Sequence, residues 1–189
     1  MAAAFHKPRL AGKLAGKIPR AGERGFDALI GESQHRMAAI LNSNHLKQIG
    51  LASILYANDH KGTLPATQGG LLETLEGNPD IFLAAGSKAK APDDFATMDA
   101  PKRADWVNKN SDVIYLAGGK NLNQLPAGSV VAYIKPESAT LGNNFLLSDG
   151  SVFQEDAATS EKIIAELKDG RNPPPSLNTT PPLPPEPLK

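Results

Sequence analysis

The chain has no cysteine in its 189 residues, which excludes disulfides, thiolate nucleophiles and cysteine-based metal sites together. It has no excess of either charge: Lys plus Arg and Asp plus Glu number 20 each. Bulk electrostatics therefore recruit neither nucleic acid nor an acidic partner. No run approaches the roughly 20 apolar residues that a bilayer crossing requires, and the N-terminus shows no apolar stretch for a signal peptidase. These absences predict a soluble chain.

The charge that is present is unevenly placed. Residues 1–25 carry six basic side chains (Lys7, Arg9, Lys13, Lys17, Arg20, Arg24) against the single acid Glu23. Within them a short echo, Leu10-Ala-Gly-Lys13 then Leu14-Ala-Gly-Lys17, would place Leu10, Leu14 and Ile18 on one stripe of a helix, with weak contact to an anionic membrane surface as its use. Gly12 and Gly16 each cost a helix about 1 kcal/mol relative to Ala, so a flexible basic arm is expected. At the other end, residues 172–189 hold eight of the 16 prolines, a composition that favours extended polyproline II without a core. Pro181-Pro-Leu-Pro184 fits the PxxP pattern, but any proline-rich segment produces such matches freely. The expected organisation is a basic arm (1–25), one α+β domain (26–170) and a disordered proline-rich tail (171–189).

From residue 27 to residue 58 there is no proline, and Leu29, Ile30, Met37, Ile40, Leu41, Ile49 and Tyr56 fall at spacings of a long helix buried along one side. Asp27 is a candidate N-cap, Gly31 a candidate bend, and Gly62 with Pro65 a stop signal. Residues 63–110, rich in Gly, Pro, Asp and Ala, read as surface loop with one short helix over 70–75. Strands are expected at 112–117, 129–134, 144–147 and 151–154, the last two joined at Asp149-Gly150, since Gly accepts positive φ and Asp tolerates it. A final helix spans 158–168, with Ile163, Ile164 and Leu167 on one face and Gly170 as its stop.

That order, together with several local words, resembles a pilin-like family abundant in planctomycetes and verrucomicrobia, related to type IV pilins and type II secretion pseudopilins. The segment Asn44-His-Leu-Lys-Gln-Ile-Gly-Leu-Ala52, followed by Tyr56, Asp59, Gly62 and Pro65, resembles the family's "NNLKQIGLAL..Y..D..G..P". Asn78-Pro-Asp-Ile-Phe-Leu83, Ser111-Asp-Val-Ile-Tyr-Leu116, Val130-Val-Ala-Tyr-Ile-Lys-Pro-Glu137 and Asn144-Phe-Leu-Leu-Ser-Asp-Gly-Ser-Val152 follow in the family's order. The resemblance covers about residues 40–155. Three departures accompany it. The histidine that the pattern places ten positions before the Asp of Asp-Gly is Ala139 here, and its cysteine falls among Ala84, Ala85 and Gly86. The apolar prepilin span is missing: Arg24-Gly25-Phe26 leads through Glu32 into polar Ser33-Gln-His-Arg36, so no processing cleavage is assigned.

Chemistry is thinly represented. The four histidines are His6 in the arm, His35 and His45 on the long helix and His60 in the turn after it. His35 and His45 are about 80° from sharing a helical face, not the i, i+4 pairing of zinc helices. Asp59-His60 beside Asn58 reads as a helix-ending turn rather than a cation site. Gly12-Lys-Leu-Ala-Gly-Lys17 has one residue too few between its glycines for a phosphate loop, and Ile18 stands where a magnesium-binding hydroxyl belongs. No Gly-x-Ser-x-Gly turn suggests a serine nucleophile. In pseudopilin-like folds, loops of the C-terminal sheet hold calcium, and Asp149, Glu155 and Asp156 lie in that region. Calcium takes six to eight oxygens, and these three carboxylates form no recognisable loop motif. The hairpin role of Asp149 is preferred, and no catalytic, cofactor or metal residue is assigned.

The fold expected is α+β and pilin-like: a long N-terminal helix packed on a small antiparallel sheet, with disordered tails. The resemblance implies a non-catalytic structural or assembly protein, a subunit or accessory of a filament or secretion-type apparatus, acting through protein partners or self-association. The alternative is a soluble protein-binding module with tethering tails. Neither uses a cofactor, nucleic acid or small-molecule substrate. The resemblance points to the cell surface or periplasm, and the chain taken as complete points to the cytoplasm.

Overall fold

A computed structural model describes residues 21–177, with side chains from Leu29 onward. Residues 1–20 and 178–189, and with them the 10–17 echo, His6 and the 181–184 prolines, lie outside the described residues. The chain divides into two compact units, residues 1–33 and 34–189. Helix α1 (Ala21–Asp59) is one α-helix of 39 residues. It begins before Asp27 and continues through Gly31, so Asp27 is a helical residue and not a cap. Strong helix formers on both sides of Gly31 (Ala28, Leu29, Glu32) carry the helix through it. In the first unit, the Ser33 hydroxyl donates to the Leu29 carbonyl at 2.9 Å.

In the second unit, four strands form an antiparallel meander in the order β1 (Val113–Tyr115), β2 (Val130–Ile134), β3 (Asn143–Leu147), β4 (Val152–Glu155). Ile114 lies opposite Tyr133, Tyr133 opposite Phe145 and Phe145 opposite Phe153. Along β3 the side chains alternate as a pleated strand requires: Leu146 enters the core under α1, while Phe145 and Leu147 enter a second cluster with Ile163 and Ile164 of helix α3 (Ala157–Lys168). A register shift between Val130 and Ala132 interrupts this alternation in β2, and Val131 and Ala132 both join the first cluster. An extra residue in one strand has this local effect on side-chain direction. The architecture of this unit is therefore α+β, with the 34–59 part of α1 on one face of the sheet and α3 on the other.

The face of α1 turned to the sheet differs from the one expected. Ala39, Asn42, Leu46, Ile49, Ala52, Ser53 and Ala57 are buried, whereas Met37, Ile40 and Leu41 are exposed. Close approach explains the small residues. A Cβ placed on Gly50 would stand 2.7 Å from Leu146 Cδ1 and 3.5 Å from the backbone of Gly150. The two buried polar groups are satisfied: Asn42 Oδ1 accepts from the Ala85 amide at 2.8 Å, and the Ser53 hydroxyl donates to the Ile49 carbonyl at 2.7 Å.

Residues 63–110 are not a surface loop. They contain 3-10 turns and an unexpected helix α2 (Ala100–Asn110), and they bury Leu64, Leu71, Leu72, Ile81, Phe82, Phe95 and Val107. Each turn contributes one or two apolar anchors, so no helical or strand period runs through the segment. The start of α2 is conventional: Asp99 accepts from the Lys102 amide at 3.0 Å and Pro101 sits in the first turn, a pairing that favours helix initiation. Asn108 ties α2 back to the preceding turn, accepting from the Gly69 amide at 2.9 Å and donating to Thr67 Oγ1 at 3.1 Å.

Residues 171–177, expected to open the disordered tail, are docked on the α3 side of the sheet. The Asn172 carboxamide accepts from Val130 N at 2.7 Å and donates to Val130 O at 2.8 Å, satisfying main-chain groups beside the register shift as a neighbouring strand would. Ser176 donates to both Glu166 oxygens at 2.8 Å, and Leu177 is buried in the second cluster. Among the described residues no helix is long and apolar enough to cross a membrane.

The Gly50 contact carries a prediction. Gly50→Val is expected to destabilise the fold by about 2–3 kcal/mol through overpacking against Leu146, read as a lowered thermal midpoint. Gly31→Ala, where a Cβ meets nothing within 4 Å, is expected to be neutral or up to about 1 kcal/mol stabilising.

Candidate functional site

The segment 44–65 forms the C-terminal half of α1 and its stop. The amides of His60 and Gly62 both donate to the Ala57 carbonyl, at 3.1 and 2.7 Å, and Gly62 has φ +86°. A side chain on Gly62 would collide with Asn121, whose Oδ1 would lie 2.8 Å from its Cβ. The chain leaving the helix is held to residues 120–122 by Leu64 N donating to Lys120 O and Leu122 N to Gly62 O. His60 belongs to this stop: its ring stacks on Tyr56 with centroids 3.8 Å apart, and Nδ1–H donates to the Tyr56 carbonyl at 2.7 Å. His45 Nδ1–H donates to Leu83 O at 3.0 Å, which makes it a half-buried tie between α1 and the 79–84 turn. His35 remains exposed.

Asp149, Glu155 and Asp156 have separate tasks. Asp149 Oδ1 accepts from the Ser151 amide at 2.9 Å and from its hydroxyl at 2.6 Å, and these bonds hold the carboxyl below its usual range. Asp156 caps α3 by accepting from the Thr159 amide at 2.8 Å, which likewise lowers its pKa. Glu155 ends β4 opposite Asn143. No group of three His, Cys, Asp or Glu side chains that could hold a metal ion occurs among the described residues.

The two positions where a cysteine and a histidine would stand in the resembling pattern are brought together. Ala85, Gly86 and Ala139 line one cleft of about 530 Å³, with Asp112, Ser138 and Lys88 also on its wall. Asp112 is the group that sequence reading missed, having taken it only as the start of a strand. Its Oδ2 accepts from the Ala84 amide at 3.0 Å and its Oδ1 from the Ser138 hydroxyl at 2.8 Å. Burial alone would raise its pKa, but the Ser87 hydroxyl, these two donors and nearby Lys135 together bring it below the ordinary 3.8. Asp112 thus joins three chain segments through one carboxylate.

The most extensive unused feature is the outer face of α1. Met37 is 70% exposed, Ile40 60%, Leu51 59%, Leu55 47% and Leu41 43%. Two grooves run beside them: one of about 650 Å³ walled by Met37, Ile40, Leu41 and Ala85, the other of about 290 Å³ walled by Leu51, Leu55, Leu75 and Ile81. Exposed apolar side chains grouped beside grooves in this way mark an interaction site more often than scattered exposed leucines do. The sequence carried the signal, since apolar residues recur on two opposite sides of the helix. Assigning all of them to one buried side concealed it.

Asp112 yields a pH prediction. A carboxylate whose folded pKa lies below its unfolded one adds stability above the unfolded value and loses it as pH falls towards the folded value. Asp112→Asn is therefore expected to cost about 1–2 kcal/mol at pH 7. In denaturant titrations the gap between variant and parent should narrow as pH drops below about 4.

Compared with known proteins, the chain matches no family model, no curated protein and no solved structure.

Proposed function

We propose that the chain is a non-catalytic structural or assembly protein of the pilin and pseudopilin kind, serving as a subunit or accessory of a filament or secretion-type apparatus. The observation that carries this reading is the apolar outer face of α1, where Met37, Ile40, Leu41, Leu51 and Leu55 stand in solvent. Retaining such side chains on a surface costs solubility and is offset only when a partner covers them. Two further features support it. A helix laid on an antiparallel meander is the arrangement that the resembling motifs imply, and the two strongest motifs meet where Gly50 approaches Gly150. The soluble binding module would draw on the same α1 face, since residues 63–110 place most of their large apolar side chains in the core.

The two readings separate on what is bound. Native complexes recovered by mild cross-linking and sized by sedimentation should contain several copies of this chain if it is an assembly subunit. Met37→Glu with Leu55→Glu is expected to disperse them while leaving the circular dichroism spectrum unchanged. Recovery of the chain only as a single copy bound to one unlike protein would favour the binding module. A lone monomer in every fraction would sink the assembly reading.

A further inference from the structure

The outer stripe of α1 reads almost the same in both directions. Its positions are Gln34, Met37, Leu41 and Asn44, then Gln48, Leu51, Leu55 and Asn58, all exposed. The intervals run three, four, three, four, three, four, three, and in chemical class the order is amide, apolar, apolar, amide, twice over and mirrored about Leu46. In heptad terms these are alternating a and d positions, the seam along which two helices interlock. A sequence that mirrors itself along such a seam matches an antiparallel copy of itself.

We infer that two copies of this chain pair through α1 as an antiparallel, two-fold symmetric contact centred at Leu46. The pairing sets Met37 against Leu55 of the second copy, Leu41 against Leu51, Asn44 against Gln48 and Gln34 against Asn58. Every pair is an a with a d, apolar meets apolar, and each amide finds an amide able to donate and accept. A contact between residues i and j is repeated between j and i, as a two-fold interface demands. Direction follows from two facts. Antiparallel helix dipoles attract, whereas parallel ones repel. Antiparallel pairing also brings Met37, the most exposed of these side chains, to the groove walled by Leu51, Leu55 and Leu75 of the other copy.

The area is adequate but not generous. Residues 34–58 span about 36 Å and a helix face is about 10 Å across, roughly half of the approximately 800 Å² that each partner of a stable pair buries. The rims beside the stripe, at Leu75 to Asn78 and at Ala85 and Gly86, border the same two grooves and would widen the contact.

The inference deepens the assembly reading and rests on it, and its test keeps the two apart. Because the chain has no cysteine, a version carrying both Leu41→Cys and Leu51→Cys reports on this contact alone. Ten residues of helix, about 15 Å, prevent those two positions from bonding within one chain. Oxidation is expected to give a covalent dimer whose disulfides join position 41 to position 51, while either single variant stays uncrosslinked. By sedimentation, Leu41→Glu should weaken dimerisation at least about tenfold, and adding Leu51→Lys should restore it, because the two charges face each other only in the antiparallel register. Disulfides from 41 to 41, or no rescue by the second charge, would overturn the inference. A two-fold contact closes at two copies, so if the parent chain forms larger assemblies that Leu41→Glu leaves intact but Met37→Glu with Leu55→Glu disperses, this register is wrong and the assembly reading stands. If the parent chain is a folded monomer throughout the micromolar range, the self-association reading falls with it.

Discussion

The contact on which the rest of the second unit depends is the approach of α1 to the β3–β4 turn at Gly50 and Gly150. With no Cβ on either residue, the helix sits against the Leu146 side chain and the turn backbone. Leu46 and Ile49 then reach complete burial, each contributing about 1.5–3 kcal/mol relative to exposure. Gly150 holds φ +84°, a conformation that the tight turn requires and that glycine adopts without strain. A bulkier residue at Gly50 would press on Leu146, which packs in the cluster that also holds Phe82, Val107 and Val131, and one at Gly150 would meet Ile54 Cδ1 at 3.2 Å.

A helix seated so closely uses a narrow face against the sheet. Ala39, Ala52, Ser53 and Ala57 flank Leu46 and Ile49 on that face, while Met37, Ile40, Leu41, Leu51 and Leu55 stand on the outer side. The outer stripe is thus a consequence of the inner contact: a helix apolar on two opposite sides has one more surface than its own domain covers. The assembly proposal and the paired-helix proposal both begin from that surplus. The polar ties around Asp112 belong to another layer of the structure, one that fixes the 82–87 segment, β1 and residues 135–138 to one another and leaves an open cleft among Ala85, Gly86 and Ala139.

Local rules carried the elements whose causes are local. The hairpin at Asp149-Gly150, the stop at Gly62 and the closing helix up to Lys168 are set by neighbouring residues, and all were legible. Residues 63–110 were not, because their apolar anchors are spread among short turns and have no period to detect. Asp99 with Pro101 is a local initiation signal for α2, but it stands among so many glycines and prolines that the composition around it reads as loop. Asn172 gave no sign of its role, since nothing in a proline-rich tail shows that its amide will meet Val130. Asp149 was legible as a turn residue, and the structure adds the capping role of Asp156, whereas Asp112 has no local partner apart from the chain that folds around it.

The sequence by itself determined that the described chain combines a long helix with a small antiparallel sheet, and that turns fall at Gly62, Asp149-Gly150 and Gly170, because periodicity and glycine chemistry act over a few residues. Only the tertiary structure decided which side of α1 is covered. Both sides carry apolar residues at helical spacing, and the choice turns on how near the sheet lies, a distance fixed at Gly50 by residues a hundred positions away. The same physical reason separates Asp112 from the other carboxylates: its donors come from Ala84 and Ser138, and only folding brings them to it.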